Sequence, residues 1–291
     1  MGEQVCMTGA EYCDGAAVVD TYGDPVETTG NAVLDILEHR SSTRAFARDD
    51  NDRPVAVTDE QRAAILHAAS RAPSAGAMMM YSIVSIREQA TLDRLADLCD
   101  HQPMVAKAPW ALIFVVDYAK WIDLFEHVGC FEPEFVKRTG KAPRRAPGLG
   151  DFAIAAQDAV IAAQNAVVAA EALGLGSCYI GDIVENAEEV AELLDLPPYT
   201  MPLSMLIIGA PRKERPAIAH PVVNLVHEER YCRADDATMD AQVAEMDAMF
   251  RPHAREVGER VVDIYTRKHT SPFMAEMSRS MEWWFKNWLG K

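Results

Sequence analysis

The chain has 291 residues, 49% hydrophobic and 25% charged, with 16 Gly and 16 Pro, which excludes disordered, collagen-like and low-complexity classes. Its length fits one large domain or two small ones, either able to close a core without staples. Against 28 basic residues stand 44 acidic ones, a formal charge of −16; a field of that sign repels phosphate backbones and anionic lipid, so neither nucleic acid nor membrane is an expected partner.

Residues 1–30 carry Glu3, Glu11, Asp14, Asp20, Asp24 and Glu27 and no Lys or Arg. They read as a solvated acidic extension, without the positive start and apolar run of a secretory signal. Asn31 then caps a short helix with Val33, Leu34 and Leu37 on one face. A second helix starts at Thr58, where Thr58 and Gln61 form a capping-box pattern; Ile65, Leu66 and Ala69 face the core and Pro73 ends it. Residues 81–86 and 110–116 read as strands, the second apolar throughout and therefore central. Leu92, Leu95, Ala96 and Cys99 mark a helix between them. Residues 118–150 form a helical excursion that ends in the basic loop 137–145.

An alanine-rich helix runs from about Asp151 to Leu173. Polar residues interrupt it, Asp158 among them, so it falls short of the roughly 20 unbroken apolar residues of a membrane span. Gly174 is the expected left-handed stop, and residues 177–181 form a short strand or extended turn. Asn186, helped by Glu189, is expected to cap a helix over 187–194. Residues 203–209 and 222–226 are the last strands, and 235–291 are helical, ending in the cluster Trp283, Trp284, Phe285 and Trp288. Helices alternate with, and outnumber, about five short strands, which indicates an α+β or α/β class around one sheet. Cys6, Cys13, Cys99, Cys130, Cys178 and Cys232 form no CxxC pair and no zinc-spaced cluster. No structural metal is expected, and a reducing cytoplasm is the expected setting.

Three constellations could carry chemistry. His39-Arg40-Ser41-Ser42-Thr43-Arg44 combines two forked guanidinium donors with three hydroxyls, which suits a terminal phosphate as well as a solvated loop. Ala72-Pro73-Ser74-Ala75-Gly76 is a tight loop followed by three methionines, able to meet a flat ligand or simply to enter the core. In Leu173-Gly174-Leu175-Gly176-Ser177-Cys178-Tyr179-Ile180-Gly181 the glycines are misplaced for a dinucleotide fingerprint. They can form a plain helix stop, or Gly181 can bring its backbone to a ligand edge.

The order and spacing of these segments, completed by Leu206-Ile207-Ile208-Gly209-Ala210-Pro211, resemble the nitroreductase family of flavin-dependent oxidoreductases over about residues 31–231. Tyr179-Ile180-Gly181 and the stretch Val226–Tyr231 resemble its flavin reductase and oxygen-insensitive nitroreductase branch. The resemblance implies an α+β fold with a central mixed five-stranded sheet flanked by helices, in an intertwined homodimer with FMN between the subunits. Residues 1–30 would be an extension, 31–231 the flavin-binding core, and 232–291 a helical extension packing on the core or on the partner, most simply embracing the partner. Arg40 and Arg44 would hold the FMN phosphate beside His39 and Ser41, with Lys213, Arg215 or His220 as a further grip. Ser74 would reach the ribityl chain or ring edge. Tyr179, Ile180, Gly181 and Asp182 would line the ring, with a main-chain N–H near Gly181 facing flavin N5.

The implied activity passes a hydride from NADPH or NADH to the flavin and then to a small planar acceptor, by a ping-pong cycle that needs no protein acid or nucleophile. Where the family carries Asn and Gln, this chain has Ala77 and Met79, side chains that offer the ring edge no such hydrogen bond. Those replacements favour an alternative, a homologue that sequesters flavin or another ligand. A specialised reductase of another conjugated or halogenated substrate is a further reading. Arg144, Arg145 or Lys141 of the basic loop could meet an NADPH phosphate, or the loop could be solvated.

Overall fold

The computed structural model describes residues 29–141, 144–213, 222–250 and 256–290. Most of the acidic extension, together with Arg215 and His220, lies outside the described residues. Those described divide into two compact units, one of residues 40–213 with 275–290 and one of residues 29–39 with 222–274.

The larger unit is built on strands β1 (Tyr81–Ile86), β2 (Trp110–Asp117), β3 (Gly176–Ile180) and β4 (Thr200–Gly209). Their order is β1-β2-β4-β3, and every neighbouring pair is antiparallel. The described residues therefore give four strands, not five, and the sheet is not mixed; the parallel pairing present is a single bridge between Ser42 and Ser177. The expected strand over 222–226 is a turn. Asn224 takes a left-handed conformation, and the amides of Val222 and Val223 donate to the Glu245 carboxylate at 3.2 and 3.0 Å, which leaves none of the three free for a ladder.

All eight residues of β2 are buried because helices cover both faces of the sheet. Trp110, Leu112 and Phe114 point to one side, into a cluster with Ile65 and Ala69 of α2 (Asp59–Ser70) and with the alanines of α7 (Leu149–Ala172). Ala111, Ile113 and Val115 point to the other. There they meet Leu92 and Leu95 of α3 (Gln89–Leu98), Val105 of α4 (Pro103–Ala106), Val190 of α8 (Ala187–Leu193) and Trp284 of α11 (Pro272–Trp288). Strand alternation thus feeds two cores from one apolar run. The excursion after β2 contains α5 (Ala119–His127) and α6 (Pro133–Thr139).

Local signals place several boundaries. The Thr58–Gln61 capping box is formed, with both reciprocal bonds present. Gly174 is left-handed at φ 72°, and the Leu175 amide reaches back to the Ala170 carbonyl at 2.9 Å, closing α7. By length and composition alone α7 could cross a membrane. Eight of its residues are nevertheless buried in the fold, Asp158 among them, and it serves as a core helix. Asn186 does not cap α8: its φ is 46°, its side chain makes no cap bond, and its amide group donates instead to the Leu98 carbonyl at 2.8 Å.

The smaller unit holds α1 (Ala32–His39), α9 (Asp236–Phe250) and α10 (Glu259–Ile264), followed by a π turn over Tyr265–His269. Asn31 caps α1 as expected, accepting from the amides of Val33 and Leu34 at 3.0 and 3.3 Å. Its apolar residues Val33, Leu34 and Leu37 are 46–57% exposed.

Candidate functional site

The free edge of β3 organises the site. After Arg40 the chain meets that edge, where Thr43 N–H donates to the Ser177 carbonyl at 2.8 Å, and then pairs with the stretch after β4, Ala47 N–H donating to Ala210 at 2.8 Å and Arg212 N–H to Ala45 at 3.0 Å. The approach is close because Gly176 has no side chain; a Cβ there would lie 2.7 Å from Thr43 Cβ, inside any real contact. Gly176 is therefore more than part of a helix stop, since it lets the arginine-bearing segment dock on β3.

Arg40 is brought within electrostatic reach of Tyr179 and Glu171. What packs around Tyr179 pushes its hydroxyl up to about 12, against the pull of Arg40, although 39% of the residue stays exposed. Its hydroxyl points at Gln164 Oε1, 3.4 Å away. Burial raises the Glu171 carboxyl, again opposed by Arg40, and Glu171 Oε1 is buried with no hydrogen-bond partner among the described residues. Arg44 is exposed and makes no ion pair among the described residues. Ser41 is half-buried. Lys213 is exposed and directly follows Arg212, whose amide is tied to the Arg44 neighbour Ala45.

Beyond Tyr179 the chain turns once, over Gly181–Val184. Gly181 is exposed, with nothing within 4 Å of where a Cβ would stand. Ile180 is 1% exposed and belongs to the core, so only its backbone can face a ligand. Asp182 is half-buried and accepts from the Gln102 side chain.

The loop after Pro73 is knotted onto α7. Buried Asp158 accepts from Ser74 Oγ at 2.6 Å, from Ala75 N–H at 3.0 Å and from Met80 N–H at 3.3 Å, while Ser74 Oγ accepts from Met79 N–H at 2.6 Å. Gly76, Ala77 and Met79 all have positive φ, at 58°, 55° and 49°. Met79 is left 38% exposed at the rim. Lys120 sits behind this knot, its ammonium donating to the Tyr81 carbonyl. Its pKa is lowered by burial and supported by Asp117 and Asp158.

The structure thus brings Arg40, Ser41, Arg44, Tyr179, Gly181 and Asp182 to one edge of the sheet, and fixes Ser74 and Met79 in a loop anchored on α7. His39 ends α1 in the smaller unit, its Nδ1 2.6 Å from the Asp35 carbonyl. Arg215 lies outside the described residues. In the basic loop Arg145 is committed to Asp151 by two bonds of 2.6 and 2.9 Å, and Arg144 lies 3.7 Å from Glu126, with its guanidinium over Phe131. Of the three basic residues considered for a dinucleotide phosphate, Lys141 alone forms no ion pair among the described residues. In the sequence Asp158 reads only as an interruption of an apolar helix. A lone carboxylate in an alanine ridge that must be buried was itself the signal of a partner-rich position.

The donor set suits a phosphorylated planar molecule. Two guanidiniums and a serine could supply charge-assisted bonds for a phosphate, and an exposed tyrosine followed by the open backbone at Gly181 could meet a flat edge. Glu171 is an acidic group within electrostatic reach of Arg40, and its Oε1 finds no hydrogen-bond partner among the described residues.

Residues 37–210 match the profile of the Nitroreductase family. The chain is 32% identical over 215 residues to a Bacillus subtilis (strain 168) protein named FMN reductase (NAD(P)H), covering 73% of this chain and 79% of that one. It is 33% identical over 218 residues to the oxygen-insensitive NADPH nitroreductase of Salmonella typhimurium, covering 73% and 81%. Among solved structures, the NADPH:FMN oxidoreductase from Vibrio harveyi complexed with NAD+ superposes with a TM-score of 0.66 at 26% identity, over 86% of this chain and 97% of that one.

Proposed function

The chain belongs to the nitroreductase family, and from that membership we propose that it is an FMN-dependent oxidoreductase. It carries a hydride from NAD(P)H through flavin to a small planar acceptor such as a nitroaromatic, a quinone or free flavin. The observation that carries this reading is the docking of the segment after Arg40 on β3, which brings the Arg40 charge within reach of Tyr179, two residues before the open turn at Gly181. The relatives are named as reductases, which disfavours the sequestering alternative.

When bound, FMN supplies the two-electron relay between donor and acceptor. The chain's own residues bind and orient it. Arg40 and Arg44, with Ser41 and Lys213, take the phosphate, and Glu171 sets how much of the Arg40 charge is available. Tyr179 and Met79 border the ring without exchanging protons. A main-chain N–H near Gly181 would face flavin N5, where a backbone donor fixed in advance would stabilise charge that develops on the ring. Asp158 holds the rim loop rigid through its three donors.

We read the assembly as a homodimer. The outer face of α7 presents Ile154, Val160 and Ile161 at 38–49% exposure, flanked by Ala153, Gln157 and Gln164, with no charged residue on that face before Glu171. An uncharged apolar helix face of this kind suits a second copy. Through Gln164 it borders Tyr179, so the flavin would lie at the rim of the subunit contact. The setting that fits is the cytoplasm.

The test is direct. The purified protein is expected to be yellow, or to turn yellow with FMN at one flavin per chain, and NADPH or NADH should bleach it anaerobically until an acceptor restores the colour. A protein that binds no flavin on titration would end this reading.

A further inference from the structure

The C-terminal helix is tied by directed hydrogen bonds to the end of the Gly181–Val184 turn, through Trp284, and to residues 186–188 just after it, through Glu276, Ser280 and Arg279. Glu276, Ser280, Trp284 and Trp288 follow one another at intervals of four, so they lie on one face. Trp284 is fully buried and its Nε1–H donates to the Val184 carbonyl at 2.9 Å, at the end of the Gly181–Val184 turn. Glu276 accepts the Asn186 N–H at 3.2 Å and Ser280 Oγ accepts the Ala187 N–H at 3.2 Å. Ser280 in turn donates to Glu276 at 2.7 Å, and Arg279 spans Glu188 and Glu276 with bonds of 2.8–2.9 Å. These residues take the place of the capping role expected of Asn186.

Apolar packing alone would hold α11 against the core without choosing a register; a row of hydrogen bonds to four of the five residues 184–188 does choose one. Trp288 completes the stripe at a different target, donating to the Gly148 carbonyl before α7 at 3.1 Å.

We propose that Trp284, Ser280 and Glu276 are positioning residues for the flavin-facing turn: the C-terminal helix fixes Gly181–Val184 at the height its backbone donor needs opposite flavin N5. The proposal rests on the reading of the site as a flavin site. The three residues touch no substrate and act through the turn. Directed donors lose much of their effect when displaced by a fraction of an ångström, so a clamp 100 residues away in sequence can set the electron affinity of the bound ring.

The test compares Trp284→Phe, which keeps a large ring and removes one N–H, with Trp288→Phe, which removes an N–H aimed elsewhere. In flavin-free protein, amides 181–187 should exchange faster by about tenfold in Trp284→Phe and not in Trp288→Phe. With FMN bound, Trp284→Phe should change the ratio of oxidised to reduced flavin affinities about tenfold, equivalent to about 30 mV for the two-electron couple. The visible spectrum of its bound flavin should shift as well. Ser280→Ala reads the same quantities if Trp284→Phe does not fold. If the two tryptophan variants lose stability alike and leave the potential untouched, α11 only packs, and the proposal is overturned. A wild-type chain that binds no FMN overturns the flavin reading itself and the proposal with it, an outcome distinct from a yellow protein with an unshifted potential.

Discussion

Ser74 gives its hydroxyl hydrogen to Asp158 at 2.6 Å across 84 residues of sequence, and the same oxygen accepts the amide of Met79. One carboxylate on α7 therefore sets the conformation of the rim loop. Asp158→Ala should cost about 2–4 kcal/mol, because up to three donors lose an anionic acceptor and water can recover only those near the surface. Ser74→Ala should cost only about 1 kcal/mol. Denaturant unfolding of the two variants checks the ranking, and equal costs would mean the loop is held by something other than Asp158.

The phosphate assignment separates FMN from riboflavin. Each charge-assisted bond is worth about 1.5–3 kcal/mol, so Arg40→Ala or Arg44→Ala should weaken FMN roughly 10–100-fold. Riboflavin, which has no phosphate, should bind either variant as well as it binds the parent. Fluorescence-quench titrations with both ligands decide the matter; a parallel loss of riboflavin would place the arginines elsewhere on the cofactor.

Glu171 gives the opposite sign. Its buried carboxyl opposes Arg40 with one oxygen unpartnered. Glu171→Gln keeps the shape, removes the competing anion and should tighten FMN a few-fold at neutral pH, with the gain shrinking in high salt. The same titrations at two ionic strengths would show it, and unchanged affinity would detach Glu171 from the phosphate site.

How much of this was legible follows from how far each partner lies along the chain. The Thr58–Gln61 box, β1 and the close of α7 at Gly174 are local, and spacing alone reveals them. The stretch 222–226 has the apolar content of a strand, but Glu245 takes two of its amides and Asn224 turns left-handed, a competition that propensity does not register. Asn186 has the identity of a cap, yet α11 supplies the cap from some 90 residues away. The arginine motif was visible by residue type; its seat on β3 depended on Gly176 and Thr43 meeting, which no window of sequence contains.

Glu185 should make stability depend on pH. It is 3% exposed, and its carboxyl is pushed up to about 7 from an ordinary 4.5, first by burial and then by Asp182, Asp100 and Glu276, against a hydrogen bond from the Asp100 backbone. A carboxyl that holds its proton more tightly when folded stabilises the fold below its unfolded pKa. That contribution is lost as the pH rises through about 7. Between about pH 5 and pH 8 the parent should therefore lose melting temperature that Glu185→Gln retains, with the two curves meeting at the acid end. If the parent instead gains stability relative to Glu185→Gln as pH rises, the carboxylate is solvated or paired and this assignment fails.

The α7 face should couple assembly to cofactor. Ile161 is 38% exposed and lies three residues before Gln164, the neighbour of the Tyr179 hydroxyl. Ile161→Glu changes no contact in the monomer core but places a charge in the middle of an apolar contact, where desolvating it costs several kcal/mol across two symmetric copies. The variant should run as a folded monomer in light scattering. With the proposed flavin site bordering the proposed subunit contact, FMN should be lost together with the dimer and recover as protein concentration is raised. A parent chain that is already monomeric at micromolar concentration, or a monomeric variant that keeps full FMN affinity, would separate the cofactor site from the subunit contact.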